Sequence, residues 1–290
     1  MKKVVLLTGS FCLLLLILSS ILWSSQPHVS VEKHLSNQRL EGYYNNKKDF
    51  EEAFNSNLEV SKESVYSGVV SHHFLVREII AEFFLGINFE GVDTVYIVGP
   101  DHFHETFPKD TYLLSSLLDW DTPYGVLESN KDLINHLSEN LNIGIQDTPF
   151  RLEHSIYTLI PFLKKVAPDA KVVPLILKAS NDYNTYLNLG RRAYSDNSIV
   201  IVSADFSHNA TRVGAEENDR ITIDCLKTGN VDCIEQITSD CNQCFAFMYG
   251  FLSGKDMSFK LVSNEQSINF GERNEENITS YVIGFFIPKE

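Results

Sequence analysis

The chain has 290 residues, 43% hydrophobic and 21% charged, which is enough apolar material for one large core. Lys+Arg 24 against Asp+Glu 38 leaves a formal net charge of −14. That charge repels phosphate backbones, so no nucleic acid partner is expected.

In chain order, Met1-Lys2-Lys3 precede an almost unbroken apolar run from Val4 to Trp23, long enough to cross a hydrocarbon core as a helix. Lysines at its start and none at its end predict a cytoplasmic N-terminus, with everything that follows on the extracytoplasmic side. Residues 1–25 therefore read as an N-terminal transmembrane signal-anchor, or as a signal peptide if cleaved. Leu18, Leu22 or Trp23 takes the outer position around the candidate cleavage residues Ser20, Ser24 and Ser25, where a small side chain is wanted, and this favours the uncleaved anchor. Residues 26–39 form a polar tether. From 40 to 290 the composition is globular, with no internal repeat or second linker, and a single domain is expected.

Four short apolar runs read as buried strands: Val65 to Val70, Thr94 to Val98, Lys171 to Leu177 and Ser198 to Val202. Helical stretches fall between them at Phe74 to Leu85, Lys131 to Asn140, Ser155 to Val166 and Asp182 to Tyr194. This alternation predicts an α/β fold with a largely parallel or mixed central sheet flanked by helices. After Gly214 the pattern changes to helices around Ile221 to Lys227 and Phe245 to Leu252, then to strands at Ser258 to Val262 and Ser280 to Ile287.

Open parallel sheets bind ligands beyond the carboxyl ends of their strands. The first run ends in Ser71-His72-His73, the second in Gly99-Pro100-Asp101-His102-Phe103-His104, and the fourth in Ser203-Ala204-Asp205-Phe206-Ser207-His208. Three of four strands thus deliver histidine to one edge, and two imidazoles with one acid or thiolate would hold a divalent transition metal. Glu153-His154-Ser155 opens an apolar helix. There His154 is either a solvated helix-start residue or a general acid/base reaching the same cleft.

Cys12 lies inside the apolar run, leaving Cys225, Cys233, Cys241 and Cys244, which could form two bridges in three ways. Cys241 precedes the helix beginning near Phe245, a position that lowers a thiol's pKa and suits a metal-binding thiolate. The competing reading is a Cys241–Cys244 disulfide.

Ordered motifs add a resemblance: Glu41-Gly42-Tyr43-Tyr44, Val69-Val70-Ser71-His72-His73, Ile97-Val98-Gly99-Pro100-Asp101-His102, Thr122-Pro123-Tyr124-Gly125, Glu153-His154-Ser155-Ile156, Ser203-Ala204-Asp205-Phe206-Ser207-His208 and Ser280-Tyr281-Val282-Ile283-Gly284. On these, the chain from about Leu40 to Ile287 resembles the Memo family, the B component of the AmmeMemoRadiSam system. The resemblance implies a fold like that of class III extradiol dioxygenases, with His73, His102 and Cys241 as metal ligands and Asp205 and His208 flanking them; if the chain is an enzyme, His154, Asp205 and His208 are the expected catalytic residues, moving protons. Iron is the ion it implies first, and thiolate ligation also suits copper or zinc.

There are departures from the family pattern. The family places proline before its first ligand histidine and Ala-Gly-Tyr after it, whereas here His72 precedes His73 and Phe74-Leu75-Val76 follow, so His72 is an alternative ligand. Tyr157 replaces a glutamate, and Cys241-Asn242 replaces Cys-Gly. Two functions are therefore expected as alternatives. One is a membrane-anchored, metal-dependent oxidoreductase acting on a small molecule; the other is a non-catalytic module binding a peptide or small ligand through the same pocket.

Overall fold

A sequence with near-continuous apolar strands needs a sheet covered on both faces, and the chain builds one. A computed structural model describes residues 38–56 and 60–289. The expected anchor at 1–25 and most of the tether at 26–39 lie outside the described residues; among those described, no helix is long and apolar enough to cross a membrane. Arg39–Glu290 forms one compact unit.

The elements in chain order are β1 (Leu40–Glu41), α1 (Lys47–Phe54), β2 (Ser67–Val70), α2 (Arg77–Leu85), β3 (Thr94–Pro100), β4 (Leu113–Ser115), β5 (Trp120–Thr122) and β6 (Gly125–Leu127). They continue with α3 (Lys131–Leu141), β7 (Gly144–Ile145), α4 (His154–Tyr157), α5 (Ile160–Val166), β8 (Lys171–Leu177), α6 (Tyr183–Ala193) and β9 (Ser198–Ser203). The last are α7 (Arg212–Thr228), α8 (Asn242–Phe251), β10 (Met257–Gln266) and β11 (Ser280–Pro288).

The main sheet has eight strands in the order β10-β11-β2-β9-β3-β8-β4-β7, and β1, β5 and β6 form a separate small sheet. Its centre, β2-β9-β3-β8, is parallel, while β11 and β10 on one flank and β4 on the other run antiparallel to their inner neighbours. The expected mixed sheet is present.

Alternation along the central strands divides the core in two. Tyr96, Val98, Val173, Leu175, Val200 and Val202 face one layer with α3, α6 and α8. Val95, Ile97, Val172, Ile176, Ile199 and Ile201 face the other, with α1, α2 and α5. All residues of α8 from Gln243 to Phe251 are buried, as an apolar helix packed between the sheet and α6 must be.

Differences from the sequence reading have local causes. The helix expected over Ser155 to Val166 is two, α4 and α5, because Pro161 fits only the first turn of a new helix. The helix expected at Ile221 to Lys227 begins at Arg212. Its polar first half has no apolar period and is supported instead by the Thr211 cap and by the Arg212–Glu216 and Arg220–Asp224 pairs. The strands β4 to β7 are two or three residues long, too short to show a period.

Helices α6 and α8 cross through two glycines. A Cβ on Gly190 would collide with the carbonyl oxygen of Phe247, and one on Gly250 with that of Leu187. Both obstacles are backbone, so Gly250→Ala is expected to cost about 1–3 kcal/mol in urea denaturation; an unchanged midpoint would mean that the two helices separate freely.

Asp219 of α7 ties that helix to β11. Ser280 Oγ donates to its Oδ1 at 2.6 Å, while its buried Oδ2 has no hydrogen-bond partner. Burial pushes this carboxyl up to about 6, against the Ser280 hydrogen bond that lowers it. An acid whose pKa is higher folded than unfolded supports folding while protonated and loses that support as pH rises through its folded value. Asp219→Asn, which imitates the protonated acid, should therefore gain of order 1 kcal/mol over the parent near pH 8, with the gap closing by about pH 4. Thermal melts at the two pH values measure this, and a gap independent of pH would contradict it.

Candidate metal centre

Strands β2, β9 and β3 are successive parallel neighbours, so their carboxyl ends open on one edge. Two residues past β2 stands His72, two past β3 His102, and two past β9, between them, Asp205. The start of α4 brings His154 over the same edge. One donor atom from each of His72, His102 and His154 lies within 4.8 Å of the others, close enough that the three could hold a metal ion. The ring centroids are 5.1 Å apart for His72 and His102, 5.0 Å for His72 and His154, and 4.2 Å for His102 and His154, whose rings stack.

Each of the two strand-end imidazoles is held by its Nδ1. His102 Nδ1 lies 2.7 Å from Glu153 Oε1, and its backbone N–H donates to Glu153 Oε2 at 2.9 Å. Glu153 also caps α4, accepting from Ser155 N–H at 3.0 Å, so one buried carboxylate fixes both the helix start and the ring. This works only because Gly99 has no side chain: a Cβ there would stand 2.5 Å from Ser155 Oγ. His72 Nδ1 lies 3.1 Å from Ser203 Oγ, whose own hydroxyl donates to Ser155 O at 2.5 Å. With that proton spent, Ser203 must accept, so His72 carries its proton on Nδ1. Both rings then turn Nε2 toward the pocket, the arrangement in which protein partners orient metal-binding histidines.

Carboxylates close the pocket. Asp240 Oδ2 stands 3.4 Å from His72 Nε2 and 3.5 Å from His102 Nε2, and Asp205 Oδ2 stands 3.7 Å from His72 Nε2. Asp205 is held by Ser71 Oγ, which donates to its Oδ1 at 2.5 Å. Burial would lower the pKa of His102, but Asp240 and Glu153 raise it well above the usual imidazole value. Burial would raise Glu153, yet His102 and the two N–H donors carry it far down. His154 is pushed the other way, first by burial and then by His72 and His102, so it stays neutral where an ordinary histidine begins to protonate.

Of the residues expected at the site, His102, His154 and Asp205 are here together. His73 is not. Its ring is exposed and its Nδ1 lies 2.6 Å from Tyr281 OH, and His72 takes the position facing the pocket, the alternative left open by the sequence. Exposed His208 neighbours His73 and lies outside the three-histidine cluster. Cys241 is bonded to Cys244, with Cys225 bonded to Cys233, so its sulfur is committed to a disulfide and is no free thiolate ligand. Sequence reasoning did not anticipate Ser203 or Asp240 at the site, nor Glu153 as the residue that holds His102. Glu153 and Asp240 each carried the faint signal of an acid beside a helix start, and Ser203 carried none.

Since Glu153 both orients His102 and would be left half-satisfied by an amide, Glu153→Gln is expected to weaken divalent-metal affinity about 10- to 100-fold. Calorimetric titration measures it, and unchanged affinity would show that the ring needs no such support.

Residues 41–246 match a family model described as Memo-like protein. A MEMO1 family protein of Methanococcoides burtonii is 30% identical over 178 residues, covering 58% of this chain and 64% of that protein. A MEMO1 family protein of Methanococcus vannielii is 26% identical over 76% of this chain and 78% of the relative. One from Aquifex aeolicus is 24% identical over 48% and 53%. In the first and third cases the matching region spans under two thirds of the relative's length.

Proposed function

The chain belongs to the Memo-like protein family, and from that premise we propose that its carboxyl-edge pocket binds one divalent transition metal and works as a metal-dependent oxidoreductase on a small molecule. The convergence of His72 and His102 on one point, with His154 beside them, carries this reading. The donor chemistry fits such an ion: two imidazoles with oriented Nε2 atoms face a buried carboxylate oxygen, Asp240 Oδ2, that has no hydrogen-bond partner. The likeness to class III extradiol dioxygenases belongs to the same proposal and puts iron first, ahead of zinc or copper.

A metal in this pocket would polarise a bound oxygen atom. The protein's own residues supply the rest. Glu153 holds His102 in one orientation, and Ser203 does so for His72. Neutral His154, stacked on His102, has a lone pair with which to accept a substrate proton. Asp205, gripped by Ser71, places a carboxylate oxygen 3.7 Å from His72 Nε2.

The proposal extends to location. Two disulfides suit an oxidising compartment, which supports a domain held outside the cytoplasm by the N-terminal apolar run.

One observation favours the second reading, a module that binds a peptide or small ligand without turnover. Tyr43 is 79% exposed and Phe103 49%; Phe103 sits 6.4 Å from the ring of His154, an aromatic contact open to an apolar ligand. In that reading ligand capture survives loss of the histidines and fails with Phe103→Ala.

The test is metal content of the purified chain after exposure to Fe(II) or Zn(II) and desalting. The parent and His73→Ala should retain about one equivalent, whereas His72→Ala and His102→Ala should retain none. A parent that takes up neither ion contradicts the proposal, and loss in His73→Ala with retention in His72→Ala contradicts the assignment of the rings.

A further inference from the structure

We infer that the third protein ligand of this centre is the carboxylate of Asp240, giving a two-histidine, one-carboxylate set where the bridged Cys241 supplies no thiolate. The inference rests on the metal-binding reading above and names the donors of that same site.

Asp240 is pinned by its backbone. Its N–H donates to Asp205 O at 3.0 Å and its Oδ1 accepts from Asp205 N–H at 3.2 Å, so β9 and the lead-in to α8 hold one of its carboxylate oxygens in place. The other oxygen, Oδ2, is buried without a hydrogen-bond partner. It faces His72 Nε2 at 3.4 Å and His102 Nε2 at 3.5 Å, separations longer than an ordinary hydrogen bond. Because both Nδ1 atoms are engaged by protein partners, the groups left facing one another across that space are the two Nε2 atoms and Asp240 Oδ2. A buried carboxylate oxygen without a hydrogen-bond partner is costly unless a cation meets it.

The spacing matches a metal. Donors at about 2.1 Å from a tetrahedral ion stand about 3.4 Å from one another, and the two measured separations are 3.4 and 3.5 Å.

The other candidates for third ligand fit less well. An imidazole binds through a lone pair in its own ring plane. The planes of His102 and His154 are 26° apart with centroids separated by 4.2 Å, so they do not intersect at bonding distance from both rings. His154 therefore stands beside the ion and remains available for proton transfer. Cys241 is closed off by its bond to Cys244. An oxygen ligand in place of sulfur also favours Fe(II), Mn(II) or Co(II) over copper, and leaves open positions for substrate.

Co(II) titration of the full-length chain, followed by visible absorption, tests the inference. Asp240→Asn keeps an acceptor for Asp205 N–H and is expected to weaken Co(II) binding by about 100-fold or more, as loss of a direct ligand should exceed the 10- to 100-fold of a supporting residue. His154→Ala should change affinity less than about threefold, and Cys241→Ser combined with Cys244→Ser should leave it unchanged. Parent protein loaded with its disulfides intact should show no thiolate-to-cobalt charge-transfer band, a readout that does not depend on any variant folding. Full affinity in Asp240→Asn with loss in His72→Ala overturns the inference and leaves the metal reading standing. Equal loss in His154→Ala and Asp240→Asn, or a thiolate band in the parent, overturns it as well. A parent that binds no Co(II), Fe(II) or Zn(II) at all overturns the metal reading beneath it.

Discussion

Charge balance in a buried space is the constraint on which this molecule's functional edge depends. Glu153, Asp205 and Asp240 are gathered with His72, His102 and His154 where β2, β9 and β3 end; Glu153, Asp205 and His72 are buried, and the other three are partly exposed. Carboxylates withdrawn from water are costly unless hydrogen-bonded or paired. Glu153 is satisfied by His102 and two backbone donors, and Asp205 by Ser71. Asp240 is satisfied on one side only. The pocket is thus complete as a protein structure everywhere except along the line where Asp240 meets two imidazole nitrogens, and that incompleteness gives the site its chemistry.

The scaffold makes such an arrangement possible by keeping its moving parts few. Each residue of the site lies within two positions of a strand or helix end, so backbone already fixed by the sheet determines where it points. Gly99 lets α4 settle against β3. The glycine crossing of α6 and α8 seats the buried helix that Asp240 and Cys241 introduce. The Cys241–Cys244 bridge then ties the first turn of that helix. Two functions that one cysteine could have combined, ligation and stapling, are separated here: sulfur does the stapling and the adjacent carboxylate faces the pocket.

The architecture was legible because buried parallel strands write themselves as runs of valine and isoleucine, and four such runs set the centre of the sheet. Short flanking strands and the first half of α7 were not, because two or three residues carry no period and a helix held by ion pairs shows no apolar stripe. At the site, the strand ends drew attention to His102, Asp205 and the His72-His73 pair, and the structure gathers His72, His102 and Asp205 at one edge. Which of two adjacent histidines faces inward depends on how the backbone leaves β2, and Tyr281, some two hundred residues away, takes the ring of His73. The pairing of Cys241 turned on a choice between thiolate and bridge that spacing alone leaves even. Asp240 was hidden for a related reason, since an acid before a helix is ordinary until its partners from distant strands are known.

The account's central claim is that a single ion belongs between His72 and His102 at the carboxyl edge of the sheet. Crystals grown with Fe(II) or Zn(II) and measured across the metal's absorption edge locate such an ion directly. One anomalous peak within bonding distance of His72 Nε2 and His102 Nε2 is the predicted result. A peak at His73, a peak at the cysteines, or a pocket without one in protein soaked to saturation would contradict it.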